Sequence, residues 1–96
     1  MKIPVKFIIG VMPCEHHNEM ELNNIYIERT RTTPTLWGIR WNGNTLNKDL
    51  AMFCYEPRPS SRGDEFYKDC RFETADQGIS FFNKHHYEIF RNCRMP

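Results

Sequence analysis

Nowhere does the chain approach the roughly 20 consecutive apolar residues that a membrane-spanning helix needs, so no membrane span is expected. Its opening apolar run is short and is interrupted by Lys6, and Pro13 before Cys14 spoils a small-residue cleavage site. These features argue against a secretory or lipoprotein signal, and a protein that stays in the cytoplasm is expected. Charge of one sign is also lacking. Thirteen basic residues against twelve acidic ones leave +1, too little for the electrostatic footprint of a general nucleic-acid binder. There is no Cys-x-x-Cys pair, no glycine-rich phosphate loop, no Gly-x-Ser-x-Gly elbow and no His-Glu-x-x-His helix, which removes the common local signatures of metal, nucleotide and hydrolase chemistry. No internal repeat or low-complexity stretch is present.

Ninety-six residues make one domain, residues 1–96, with a small core. Aromatics are plentiful for that size, with seven Phe, four Tyr and two Trp, so part of the aromatic surface is expected to be exposed. The four cysteines, Cys14, Cys54, Cys70 and Cys93, are widely and irregularly spaced. That is not the pattern of a secreted disulfide framework, and reduced, mostly buried thiols are expected.

Residues 3–11 alternate, with Ile3, Val5, Phe7, Ile9 and Val11 on one side, which predicts a half-buried strand at an edge of the sheet. Further strands are expected over 22–31, 36–41, 44–48 and 51–56, the third and fourth joined at Asn42-Gly43, where both residues tolerate positive φ. Pro57 to Gly63 holds two prolines, two serines and a glycine, and reads as an irregular surface loop. Tyr67 to Glu73 reads as one more strand, with Cys70 and Phe72 inward. Thr74-Ala-Asp-Gln77 has the form of a capping box, followed by Ile79, Phe82, His86, Ile89, Phe90 and Cys93 at helical spacing. The resulting expectation is an α+β fold, an antiparallel sheet of four to five strands packed against one C-terminal helix. An open edge at residues 3–11 also offers a route to a homodimer by strand addition.

Cys14, His16, His17, His85, His86 and Cys93 could be gathered into a metal site, but their spacing fits no common zinc finger or ribbon. The simpler reading is one buried histidine, one buried cysteine and the rest on the surface, with no metal and no cofactor. A Cys–His nucleophile pair lacks any local signature, and no catalytic residue is assigned. Arg62-Gly63-Asp64 spells a cell-adhesion tripeptide and more simply marks a turn.

Surfaces are more informative. The proline-stiffened loop from Tyr55 to Phe66 presents Arg58, Ser60, Ser61, Arg62, Asp64 and Phe66, and arginine and tyrosine are enriched at the energetic centres of interfaces. Arg40 and Trp41 on the third strand are added to this candidate partner-binding surface, one tryptophan of Trp37 and Trp41 being expected in the core. The competing reading is a long connection in which Arg62 pairs with Asp64 or Glu65. Arg29, Arg31, Arg40 and Lys48 form a second cluster, a stretch of four bases without an acid. It suggests an alternative, a small nucleic-acid-binding module that also uses an exposed aromatic for stacking.

Trp37-Gly-Ile-Arg40, Leu46-Asn-Lys-Asp49, Tyr55-Glu-Pro57, Pro59-Ser-Ser-Arg62, Asp64-Glu-Phe66 and Cys70-Arg-Phe72, in this order, resemble small function-unassigned accessory proteins of tailed bacteriophages and prophages. The resemblance covers residues 36–82 and departs from the family pattern at Arg58, where an apolar residue is usual, and at Gly63, where an acid is. It implies a non-enzymatic role in a host cell's cytoplasm, in which the protein binds a host protein complex stoichiometrically. Inhibition of a defence or DNA-processing complex, as an anti-CRISPR or anti-nuclease protein achieves, is the activity it suggests.

Overall fold

The structure is a computed structural model, and it describes residues 5–12, 24–32 and 35–92. Five strands, β1 (Lys6–Val11), β2 (Asn24–Thr32), β3 (Thr35–Trp41), β4 (Asn44–Asn47) and β5 (Met52–Cys54), precede two helices, α1 (Asp64–Cys70) and α2 (Ala75–Asn92). The strands form one antiparallel sheet in the order β1-β2-β3-β4-β5, each pairing with its neighbour in sequence. This is the expected α+β fold, with β1 at the edge. Asn42 (φ 49°) and Gly43 (φ 79°) turn β3 into β4 as their tolerance of the left-handed region dictates.

The strand pleat sorts the side chains onto two faces. On the core face, Ile27 pairs with Ile39 and Leu46 with Phe53, and with Ile25 they pack against Phe82 and Ile89 of α2. On the far face, one row runs Tyr26, Arg40, Thr45 and Cys54 across four strands. Thr74 Oγ1 accepts the Gln77 amide at 3.1 Å, the forward half of the capping box, while Gln77 Oε1 reaches back one residue past the cap and accepts the Glu73 amide at 3.2 Å. Asp76 in the first turn and Arg91 in the last oppose the helix dipole.

Three local expectations need correction. The alternation along 3–11 does not hold through the strand: the register against β2 shifts between Ile8 and Gly10, so Gly10, not Ile9, lies opposite Ile25. Gly10 sits under Phe82, whose ring would stand 3.0 Å from any Cβ placed there. Ile3 lies outside the described residues.

The strand expected over Tyr67 to Glu73 is not formed: Asp64–Cys70 is helical. Gly63 occupies the N-cap, Asp64 and Glu65 fall in the first turn and Lys68 in the last, and Phe66 and Cys70 share a face at i, i+4. The apparent alternation of Cys70 and Phe72 masked this. Phe72 alone is sheet-like, exchanging both backbone hydrogen bonds with Trp37 at 2.8 and 2.7 Å, beside the part of β3 that β4 does not reach. Finally, the loop expected over 57–63 contains one 3-10 turn, Pro59–Ser61. The consequence is a third layer. α2 covers the core face, while α1 and the segment before it cover the β3–β5 side of the far face.

Candidate functional site

The centre of that third layer is Glu56. It leaves the end of β5 and turns its carboxylate under the loop, where its side chain is 8% exposed. Arg71 Nη2 donates to its Oε1 at 2.5 Å, Arg40 pairs with its Oε2, and Arg62 Nη2 stands 3.5 Å from the same oxygen. Arg40 Nη1 also donates to Glu28 Oε1 at 2.9 Å. Arg71 is fixed further by donating from Nη1 to Thr45 Oγ1 at 3.1 Å and to the Cys70 carbonyl at 2.9 Å. Gly38 makes room for it, since a Cβ there would stand 2.8 Å from Arg71 Nη1. The Phe66 ring lies against both guanidiniums, 4.8 Å from Arg71 and 5.3 Å from Arg62. Burial first, and then the like charges of Arg62 and Arg40, hold the Arg71 guanidinium down to about 10.

The loop is built on this cluster. Pro57 and Pro59 fix φ at two positions, Ser61 N–H donates to the Arg58 carbonyl at 2.8 Å, and Arg62 Nε donates to the Pro57 carbonyl at 2.9 Å. Arg62 therefore closes the loop from inside, pairing with Glu56 and not with Asp64 or Glu65. The Arg-Gly-Asp tripeptide is split between this inward arginine and the start of α1.

The proposed surface residues thus separate into three groups. Arg40, Arg62 and Phe66 converge on Glu56. Arg58, Ser60, Ser61 and Asp64 are exposed on the outside of the loop and at the start of α1. Trp41 lies on the core face, its ring 5.7 Å from Phe53 and its Nε1 buried without an acceptor. Trp37 also packs on the core and stacks on Phe7 at 6.2 Å. Sequence reasoning missed Glu56, Arg71 and Thr45, which organise the site, and Tyr55, which is 79% exposed beside it.

Two cations of the basic stretch are engaged internally. Arg40 is held by two carboxylates, and Lys48 Nζ donates to the Arg71 carbonyl at 2.7 Å while lying 4.7 Å over the Phe72 ring. Burial lowers the Lys48 pKa, against the opposing pull of Asp69. The Arg29 amide donates to the Val5 carbonyl at 2.7 Å.

Among the described residues no group of three or more His, Cys, Asp or Glu side chains could hold a metal ion. His85 stacks on Phe81 at 4.4 Å, and His86 Nδ1 lies 2.9 Å from the Asn83 carbonyl oxygen. Cys14, His16, His17 and Cys93 lie outside the described residues. Cys54 and Cys70 are free thiols, and burial raises both pKa values. No helix among the described residues is long and apolar enough to cross a membrane. Comparisons with protein-family models, with curated proteins and with solved structures find no match.

Proposed function

We propose that this chain is a phage-type accessory protein that carries out no reaction of its own and acts in the host cytoplasm by stoichiometric binding to a host protein complex, inhibiting a defence or DNA-processing assembly. The observation that carries the protein-binding reading is the loop from Tyr55 to Ser61, exposed outside and clamped inside. Tyr55 is 79% exposed and Arg58 points outward, while Arg62, Glu56 and the two prolines hold the backbone beneath them. A preordered loop loses less entropy on binding, and tyrosine and arginine supply large contact area and directed hydrogen bonds. The resemblance to phage accessory proteins supports the choice of host complex.

Affinity capture from a bacterial lysate tests it. One specific partner, lost when Tyr55 and Arg58 are both replaced by alanine, is the expected result. Capture of nothing specific, or capture that survives the double replacement, overturns it.

A second copy is a further partner, favoured by Val5, Phe7, Ile8 and Val11, each 42–60% exposed along the outer strand. Sedimentation of the wild type beside Ile8→Lys tests this, a dimer that persists in the variant counting against it. The nucleic-acid reading draws less support, because two of the cations on which it depends, Arg40 and Lys48, are engaged internally. A salt-sensitive gel shift would revive it.

A further inference from the structure

The far face holds more positive charge than its carboxylates neutralise. Lys6 lies opposite Glu28 on the sheet, and Arg40, Arg62 and Arg71 surround Glu56, so four cations face two carboxylates. Asp64 and Glu65 are exposed at the start of α1 and form no ion pair with these cations among the described residues. At Arg71 burial first, and then the like charges of Arg62 and Arg40, lower the guanidinium pKa.

This excess has an opening to solvent. Among the described residues, α1 and its loop lie on the β3–β5 side of the far face, and on the other side Lys6, Tyr26, Glu28, Arg40 and Asn42 line an open groove of about 320 Å³. The Lys6 ammonium stands 4.0 Å over the Tyr26 ring. Arg40 forms the wall between groove and cluster: its side chain is 32% exposed, and its Nε is buried behind that surface without an acceptor.

We propose that this groove receives a carboxylate side chain from an acidic segment of a protein partner, held between Lys6 and Arg40. The proposal rests on the protein-binding reading above and names the chemistry of the partner. A carboxylate supplies the missing negative charge through charge-assisted hydrogen bonds. An isolated carboxylate suits the site better than a run of phosphates, because Glu28 lines the same groove and repels a polyanion.

The test is a titration of isotope-labelled protein, followed by nuclear magnetic resonance, with three probes. These are a short peptide alternating glutamate and glycine, the same peptide with every glutamate replaced by glutamine, and a single-stranded oligothymidylate. The glutamate peptide is expected to move the Arg40 Nε–H resonance and the Lys6, Tyr26 and Asn42 amides, and the glutamine peptide to leave them in place. Lys6→Gln and Asn42→Asp should each weaken the glutamate peptide about fivefold. Asn42→Asp preserves a residue type that accepts the left-handed turn and touches none of the ion pairs, so its effect is not one of folding.

Equal shifts from both peptides, or no shift in the groove, overturn the inference, and tighter oligothymidylate binding at the same residues reassigns the groove to nucleic acid. Partner capture that depends on Tyr55 and Arg58, beside a silent groove, removes this inference alone. Peptide binding in the groove without partner capture removes the loop reading alone.

Discussion

The Glu56 carboxylate and the Arg71 guanidinium meet at 2.5 Å with their side chains 8% and 1% exposed, so this ion pair, between the end of β5 and the residue after α1, is held almost out of water. Two charges removed from water are stable only while they satisfy one another. The pair therefore fastens the third layer to the sheet, and its loss is costlier than that of a surface salt bridge.

Replacing Glu56 with glutamine leaves three arginines without their shared carboxylate. A loss of about 3–5 kcal/mol is expected, the range for breaking a buried pair on one side. Urea denaturation checks it, and a midpoint unchanged from wild type would show that the cluster contributes nothing to stability.

Arg58 and Arg62, four residues apart on one loop, should behave differently. Arg62 donates to the Pro57 carbonyl and lies against Phe66 with its side chain 18% exposed, so Arg62→Ala should cost about 1–2 kcal/mol. Arg58 is exposed, and Arg58→Ala should fall within about 0.5 kcal/mol of wild type. Thermal melts of the two variants, run together, measure the difference.

Gly78 decides between two opposed effects. Alanine is favoured over glycine in a helix interior by about 1 kcal/mol, but a Cβ here would stand 2.4 Å from Ile27 Cδ1 in the core. Overpacking costs about 1–3 kcal/mol, so Gly78→Ala should destabilise on balance. A rise in the denaturation midpoint would mean that Ile27 moves aside at little cost.

The Cys70 thiol predicts a dependence on alkaline pH. Burial raises its folded-state pKa above the ordinary 9.0, with Cys54 and Asp69 adding to the rise and Arg71 and Lys48 opposing it. Below the ordinary value the thiol is neutral folded and unfolded, and its contribution is fully present. Above it the unfolded chain loses the proton first, and stability falls as pH rises. The stability of wild type relative to Cys70→Ala should therefore shrink from about pH 8 to about pH 10. Denaturation of both proteins at each pH measures it, and a constant gap would show that the thiol is not desolvated in the folded state.

Legibility along the chain follows the range of the interaction involved. The Asn42-Gly43 turn and the Thr74–Gln77 capping box depend on neighbours within four residues, and each forms where its residues stand. Tyr67 to Glu73 reads as a strand because Cys70 and Phe72 alternate, while Phe66 and Cys70 at i, i+4 satisfy a helix equally, and the cap at Gly63 carries no side chain to announce it. The candidate site was partly legible. Arg40, Arg58 and Phe66 stand out by residue type, but Glu56 resembles any loop acid, and nothing near Arg71 in sequence shows that it is the most buried arginine of the cluster.

The sequence by itself determined the antiparallel sheet, its hairpin and the capped C-terminal helix, because periodicity, turn chemistry and capping are local. It also determined that a proline-stiffened arginine loop would precede the last elements. Only the tertiary structure decided which arginine faces inward. Arg62 and Arg58 are chemically identical and share one loop, and what separates them is that Arg62 meets the Glu56 carboxylate just after β5, the Pro57 carbonyl and the Phe66 ring. Glu56 is in turn held by Arg71, which Thr45 of β4 and Gly38 of β3 seat on the far face through the pairing of the strands.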